Sequence, residues 1–302
     1  MKQCFCIATF VVLAIAFDSG GANAGPEIPD ATDPDAAALQ ALHINLAQRL
    51  AHNEFGRPLV LESQETPRQV IGDVYAVINS PFDLVSKTFA TPRTWCDVLI
   101  LHLNIKYCGA VPGTNTNRLS VRIGHKGTQD IDDAYALQFG FHLSAARPRY
   151  MAALITAPVG PMGTHDYRIE LKAVPLADGK SFMRLHYEYS FGAAARLAAQ
   201  GYLATAGGGK IGFTRVAIGD GKYDYVRGLR GVVERNTMRY YLAVESYLDS
   251  LAQPPGGQFS SRIEHWFDAT EGYRLQLHEM DRSAYLSMKQ SEYARQQAFD
   301  VQ

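Results

Sequence analysis

Along DVYAVINSPFDLVSKTFATPRTW, residues 73 to 95, the spacing of apolar positions changes abruptly. Val74, Ala76 and Ile78 alternate with Tyr75, Val77 and Asn79, the period-2 pattern of a strand with one buried face. From Ser80 the period becomes helical. Ser80 is placed to cap a helix through its hydroxyl, Pro81 suits the first helical position, and Asp83 completes a capping box. A short helical segment is predicted from Pro81 to about His102. Strand-like runs follow: RLSVRIG (118–124), AYALQFGFHLS (134–144), RYMAALITA (149–157), DYRIELKAV (166–174) and SFMRLHYEYSF (181–191). Turn signals such as PGTN (112–115), AARP (145–148) and ADGK (177–180) separate them, and connections this short favour an antiparallel meander. The alternation assigns faces. Tyr135, Leu137, Phe139, Phe141 and Leu143 share one, as do Tyr167, Ile169 and Leu171, and Leu185, Tyr187 and Tyr189. Arg168, Glu170, Lys172, Arg184, His186 and Glu188 point the other way, so one side of the sheet is expected to be wet and the other covered by a long apolar element.

GLRGVVERNTMRYYLAVESYLDSLAQ, 228 to 253, is that element, with Leu229, Val233, Tyr240, Val244, Tyr247 and Leu251 in one stripe and Asn236 falling within it. Before it, AAARLAAQ favours helix, ATAGGGK breaks it with a Gly207-Gly208-Gly209 turn, and IGFTRVA reads as a resumed strand. Asp33-Pro34 opens an N-terminal helix striped by Leu39, Leu42, Leu46 and Leu50. QPPGGQ (253–258) ends the long helix, and a helical tail follows with Trp266, Phe267, Tyr273, Leu277, Met280 and Ala284, its cap read at Asp268 with Glu271 three residues on. The expected class is α+β: an antiparallel sheet, a long C-terminal helix on it, and further helices at both ends.

MKQCFCIATFVVLAIAFDSGGANAG carries an early lysine, an apolar run too short to span a bilayer, and a small-residue ending Ala22-Asn23-Ala24. It reads as a signal peptide cleaved near Ala24, giving a periplasmic or secreted mature chain without a membrane span. Cys4 and Cys6 leave with it. Cys96 and Cys108 remain and are expected to form a disulfide in an oxidising compartment, the alternative being two buried thiols. The formal net charge of −1 offers nucleic acid no electrostatic attraction, and 47% apolar content argues for a packed domain.

Motifs for chemistry are sparse. AGGGKI (206–211) lacks the first glycine and the Ser or Thr of a phosphate loop; TQDIDDAY lacks the glycine and distal glutamate of a calcium loop; HEMDR lacks the second histidine of a zinc helix; and no G-x-S-x-G occurs. No metal or cofactor is expected. His102, His142 and His186 could each serve as a general base, but single histidines near strands more often sit at a sheet surface or make a structural hydrogen bond.

VYAVINSPFDLVSKTFATPRTW at the front and GLRGVVERNTMRYYLAVESYL at the back, with antiparallel strands between, resemble the START-like helix-grip superfamily, which includes pollen-allergen and polyketide-cyclase-like proteins. The resemblance covers residues 66 to 252, leaving 1–24 as signal, 25–65 as a helical extension, and 253–302 as linker and helical appendage. It implies a curved sheet gripping the long helix around a cavity for lipids, sterols or other apolar molecules. A secretory signal and extensions at both ends depart from that pattern. Candidate ligand contacts on the inferred inner faces are Tyr135, Phe139, Tyr150, Tyr167, Tyr187, Tyr189 and Tyr240; the hydroxyl-tipped rings of the tyrosines suit amphipathic molecules and ordinary core edges alike. Arg215, taken to share a strand face with Ile211 and Phe213, and Asn236 either fix a polar head or pair within the protein. The expectation is a carrier for an apolar or amphipathic molecule; a cavity enzyme of cyclase-like or hydrolytic type, or an interaction protein using its tail, are the alternatives. The Gly-rich stretch at 201–212 is the expected gate.

Overall fold

Alternating residues between short turns do build one antiparallel sheet. A computed structural model describes residues 33–111, 117–204 and 209–299; the expected signal, and Gly207 and Gly208 of the expected gate, lie outside the described residues. The strands are β1 (Leu59–Glu65), β2 (Gln69–Ile78), β3 (Ile105–Val111), β4 (Asn117–Ile123), β5 (Tyr135–Arg147), β6 (Tyr150–Val159), β7 (Thr164–Pro175) and β8 (Ser181–Phe191), in spatial order β1-β2-β8-β7-β6-β5-β4-β3. β1 and β3 escape the hydrophobic pattern. The second half of β1 is polar on its inner face because Ser63 donates to Glu234 Oε1 at 2.5 Å and Glu65 accepts from the Arg230 N–H at 3.1 Å. In β3, Lys106 is fully buried. Residues 59–65, expected in the N-terminal extension, therefore belong to the sheet.

Helix α1 (Pro34–Ala51) begins as its sequence signals, with the Asp33 carboxylate accepting from the Asp35 and Ala36 N–H groups. It corrects the expectation of a wet outer face. Ala36, Leu39, Leu46 and Leu50 cover Val60, Tyr75, Val174 and Phe182, so part of that face is a second apolar layer. The remainder is charged: Asp73 pairs with Arg184 at 2.8 Å and His186 at 2.9 Å, and Glu170 with Arg168 and Lys172.

The helical segment after β2 is two helices, α2 (Phe82–Phe89) and α3 (Pro92–Leu99), because Pro92 restarts the helix at its first turn. Ser80 caps neither of them. Pro81 occupies the N-cap of α2 with no side-chain bond, and the Ser80 carbonyl instead accepts the Ser181 hydroxyl at 2.7 Å, tying the end of β2 to β8. Trp95, 1% exposed, joins the two helices by donating its indole N–H to the Phe89 carbonyl at 3.1 Å. Cys96 on α3 and Cys108 on β3 form a buried disulfide with Cα atoms 5.0 Å apart.

After α4 (Ala193–Ala204), the strand read from 211 begins only at Arg215: β9 (Arg215–Gly219) and β10 (Lys222–Tyr225) make a separate two-stranded hairpin. Helix α5 (Gly228–Ser250) then crosses the concave face against β1, β2 and β8. Gly72 permits the close approach, since a Cβ there would overlap the Thr237 hydroxyl of α5. The outer side of α5 is covered by α6 (Pro255–Glu271), so most of α5 is buried. This is the helix-grip arrangement: a curved antiparallel sheet closed by a long helix.

The tail is part of the core. Asp268 and Glu271 sit in the last turn of α6 rather than at a helix start, because Pro254 and Pro255 already begin that helix. After α7 (Arg274–Leu277), α8 (Arg282–Phe299) docks on the β3 edge through buried groups: Tyr285 donates to the Leu101 carbonyl at 2.9 Å, and Lys289 to those of His102 and Ile105. Lys106 and Lys289 share Glu292 at 3.1 and 2.7 Å. Trp266 and Tyr285 stack with centroids 5.0 Å apart, and Ile263, Phe267, Leu277 and Met288 are buried with them, whereas Leu275 and Ala284 are exposed.

Candidate functional site

Where the sheet curves away from α5, a cavity of about 540 Å³ remains. Val121 and Ile123 of β4, Phe139 of β5, Tyr167 and Ile169 of β7 and Tyr187 of β8 line its sheet wall. The helix supplies Asn236 and Tyr240, one turn apart, and the α3–β3 connection supplies Leu99, His102, Asn104 and Ile105. The mouth lies beside Tyr135, 55% exposed, and the β6–β7 turn, where Met162 is 76% exposed and holds a left-handed φ of 54°.

The polar tips inside are uncharged. Rings run in a contiguous series, with Tyr167 edge-on to Phe139, Tyr187 edge-on to Tyr240 at 5.3 Å, and Tyr240 stacked on His102 at 5.0 Å. Burial raises the Tyr187 and Tyr240 hydroxyls well above the usual phenol range, helped at each by neighbouring phenols. Tyr167 shifts the same way by burial, against a 2.8 Å hydrogen bond with the Thr164 hydroxyl. His102, 3% exposed, is held neutral: burial lowers its pKa well below the ordinary histidine value, the Arg239, Lys289 and Lys126 charges lower it further, and the adjoining Asn236 side chain opposes them. The His102 ring nitrogens differ. Nδ1 accepts the Asn104 backbone N–H at 3.2 Å, which places the proton of the neutral ring on Nε2, and Nε2 makes no hydrogen bond of good geometry to a protein atom.

Behind this wall lies a cluster of cations. Arg239 approaches Asn236 Oδ1 at 3.5 Å and donates to Glu279 at 2.9 Å, and Glu279 is also paired with Lys126 at 2.5 Å and Lys210 at 2.8 Å. Burial pushes the Glu279 carboxyl up, but Arg239, Lys126 and Lys210 outweigh it and hold the pKa at about 2. Three cations around one carboxylate leave an excess of positive charge next to the cavity.

Of the expected contacts, Tyr135, Phe139, Tyr167, Tyr187, Asn236 and Tyr240 line the cavity together. Tyr189 stands one ring away, stacked on Tyr167 at 5.3 Å. Tyr150 and Arg215 are elsewhere. Tyr150 is on the outer face near α1 with the Arg147 guanidinium over its ring; Met151, Ala153 and Ile155 are the inward residues, and β6, apolar on both faces, gave no contrast from which to choose. Arg215 belongs to the β9–β10 hairpin, half-exposed and 3.7 Å from Glu54, beside a second, more open groove formed with Phe55, Phe213 and Tyr273. His142 is exposed and His186 is paired on the outer face, so His102 is the inner histidine of the three. The described parts of 201–212 do not line the cavity, and residues 205–208, the middle of the expected gate, lie outside the described residues.

Among solved structures, the chain is similar to human StAR-related lipid transfer protein 5, at 7% identity and TM-score 0.36 over 73% of this chain and 99% of that one. It is similar to truncated norcoclaurine synthase from Thalictrum flavum, at 11% identity and TM-score 0.34 over 48% and 89%. The Zhui aromatase/cyclase from Streptomyces sp. R1128 matches at 14% identity and TM-score 0.31 over 68% and 94%. No family model and no curated protein matches the sequence. Similarity at this level carries no site residue, ligand or reaction to the chain.

Proposed function

We propose that the protein binds an apolar or amphipathic small molecule, such as a lipid or sterol-like compound, in the cavity beneath α5. The observation that carries this reading is an open-mouthed space of about 540 Å³ walled by aliphatic and aromatic side chains with a few neutral polar tips. That size and lining are those of small-molecule pockets, and burying a ligand's apolar surface there supplies the affinity. Binding is favoured over turnover because His102 has no carboxylate among its hydrogen-bond partners to orient it as a base, and Asp133 stands at the exposed mouth. Native mass spectrometry of the purified protein, followed by organic extraction, is expected to show a stoichiometric bound compound. An empty protein that takes up nothing from a broad lipid panel would remove the reading.

The same proposal includes export with cleavage near Ala24, supported by the leader-like start and by the Cys96–Cys108 pair. Intact mass of the protein from its native host is expected to begin at or near Gly25, with neither cysteine modified by a thiol reagent in denatured, unreduced samples. A retained leader or two labelled cysteines would contradict it. Among the described residues no helix is long and apolar enough to cross a membrane.

A further inference from the structure

We infer that the cavity selects molecules bearing a carboxylate on an apolar body, and that His102 Nε2–H receives the carboxylate. This rests on the binding reading above and specifies the ligand's polar end.

The geometry begins at the backbone. The Asn104 N–H occupies His102 Nδ1 at 3.2 Å, so a neutral ring must carry its proton on Nε2. That donor is buried, belongs to a residue on the cavity wall, and lacks a well-formed bond to the protein. A buried donor without a partner costs free energy, and an acceptor oxygen brought by a ligand would recover it. Tyr240, stacked on the ring, fixes its plane. Asn236 lines the same wall beside the His102 ring and the Tyr187 hydroxyl, with its oxygen toward Arg239. The Tyr187 phenol, kept protonated, adds a donor on this wall.

Donors alone would accept a ketone as readily as an acid. The surrounding charge decides between them. Arg239, Lys126 and Lys210 converge on a single carboxylate, Glu279, and Arg239 reaches the wall through Asn236 while Lys126 adjoins His125 of the lining. An anionic oxygen at Nε2 therefore enters a region of excess positive charge with low dielectric around it, where attraction is stronger than in water. On the sheet wall, Phe139, Ile123 and Val121 offer apolar contact to the rest of the molecule.

The test uses 1-pyrenebutyric acid and the matched hydrocarbon 1-butylpyrene, followed by pyrene fluorescence on the full mature chain. The wild type is expected to bind the acid more tightly. His102→Phe keeps an aromatic ring against Tyr240 and removes the donor; acid affinity is expected to fall about 10- to 100-fold, the loss typical of a hydrogen bond to a charged group, with hydrocarbon affinity unchanged. A variant that binds the acid as tightly as wild type overturns the inference. A second measurement does not depend on that variant folding: in histidine-labelled wild type, nitrogen-15 NMR is expected to show the Nε2–H tautomer at His102 and a shift of Nε2 on saturation with the acid but not the hydrocarbon. An Nδ1–H tautomer, or an unmoved Nε2 in the acid-saturated protein, overturns it equally. Acid and hydrocarbon binding alike would reject the carboxylate site while sustaining the cavity reading; neither probe binding would reject both.

Discussion

Glu279 shows how far a side chain's behaviour is set by partners remote in sequence. Lys126, Lys210 and Arg239 come from three different segments and hold its carboxyl at about 2, below the ordinary 4.5. A carboxyl with a depressed folded pKa contributes stability above its unfolded value and loses it as pH falls through the folded value. Urea midpoints are therefore expected to drop between about pH 4.5 and 2 in the wild type. Glu279→Gln, which strands three cations, is expected to cost about 3 kcal/mol at pH 7, with the gap from wild type closing toward pH 2. A constant gap across that range would contradict the assignment. Tyr167 and Tyr187 could be placed from sequence because β7 and β8 alternate charged with apolar residues. Tyr150 could not, since both faces of β6 are apolar, and Arg215 was misplaced because residues 211–214 are not strand. The state of His102 was hidden for a different reason: the Asn104 backbone N–H sets its tautomer, and no side-chain pattern records that.

At the scale of elements, long periodic runs were readable and their ends were not. Six strands of the sheet and α5 follow from period, whereas Ser80 looked like a cap and serves β8 instead, and Asp268 looked like a helix start within a helix already begun at Pro255. β1 and β3 stayed hidden because their inward polar groups are satisfied by α5 and α8, partners a local window does not contain. The β2–α5 contact depends on one missing side chain. Gly72→Ala would drive a methyl into Thr237, itself donating to the Val233 carbonyl at 2.7 Å, and is expected to cost about 1–3 kcal/mol. Thr237→Ala should relieve the overlap, so the double variant is expected to be more stable than the sum of the single losses; strict additivity in chemical denaturation would show that the two sites do not touch.

Across the whole molecule, buried ionisable groups make stability depend on pH in two opposing ways. Burial lowers Lys289 and Lys126 to about 8, with Lys106 adding to the first and Arg239 to the second, so between pH 8 and 10 the unfolded chain binds more protons than the fold and stability rises. Burial raises Tyr187, Tyr240 and Tyr285, which remain phenols in the fold while the unfolded chain ionises above about pH 10, and stability then falls. Denaturation midpoints from pH 7 to 11.5 are expected to pass through a maximum near pH 10; a monotonic decline from pH 8 would show that the lysines are not perturbed. The sheet order carries a consequence in time. From β3 to β8 each strand pairs with its successor, but β2 pairs with β8, joining residues 69–78 to 181–190. On a ribosome, the β1–β2 hairpin must wait, unpaired along one side, through the synthesis of six further strands, and α5, which lies over that seam, emerges later still. Closing so long a loop makes folding slow. The nascent chain thus stays open along this seam for most of its synthesis, and the sheet can close only after β8 has emerged.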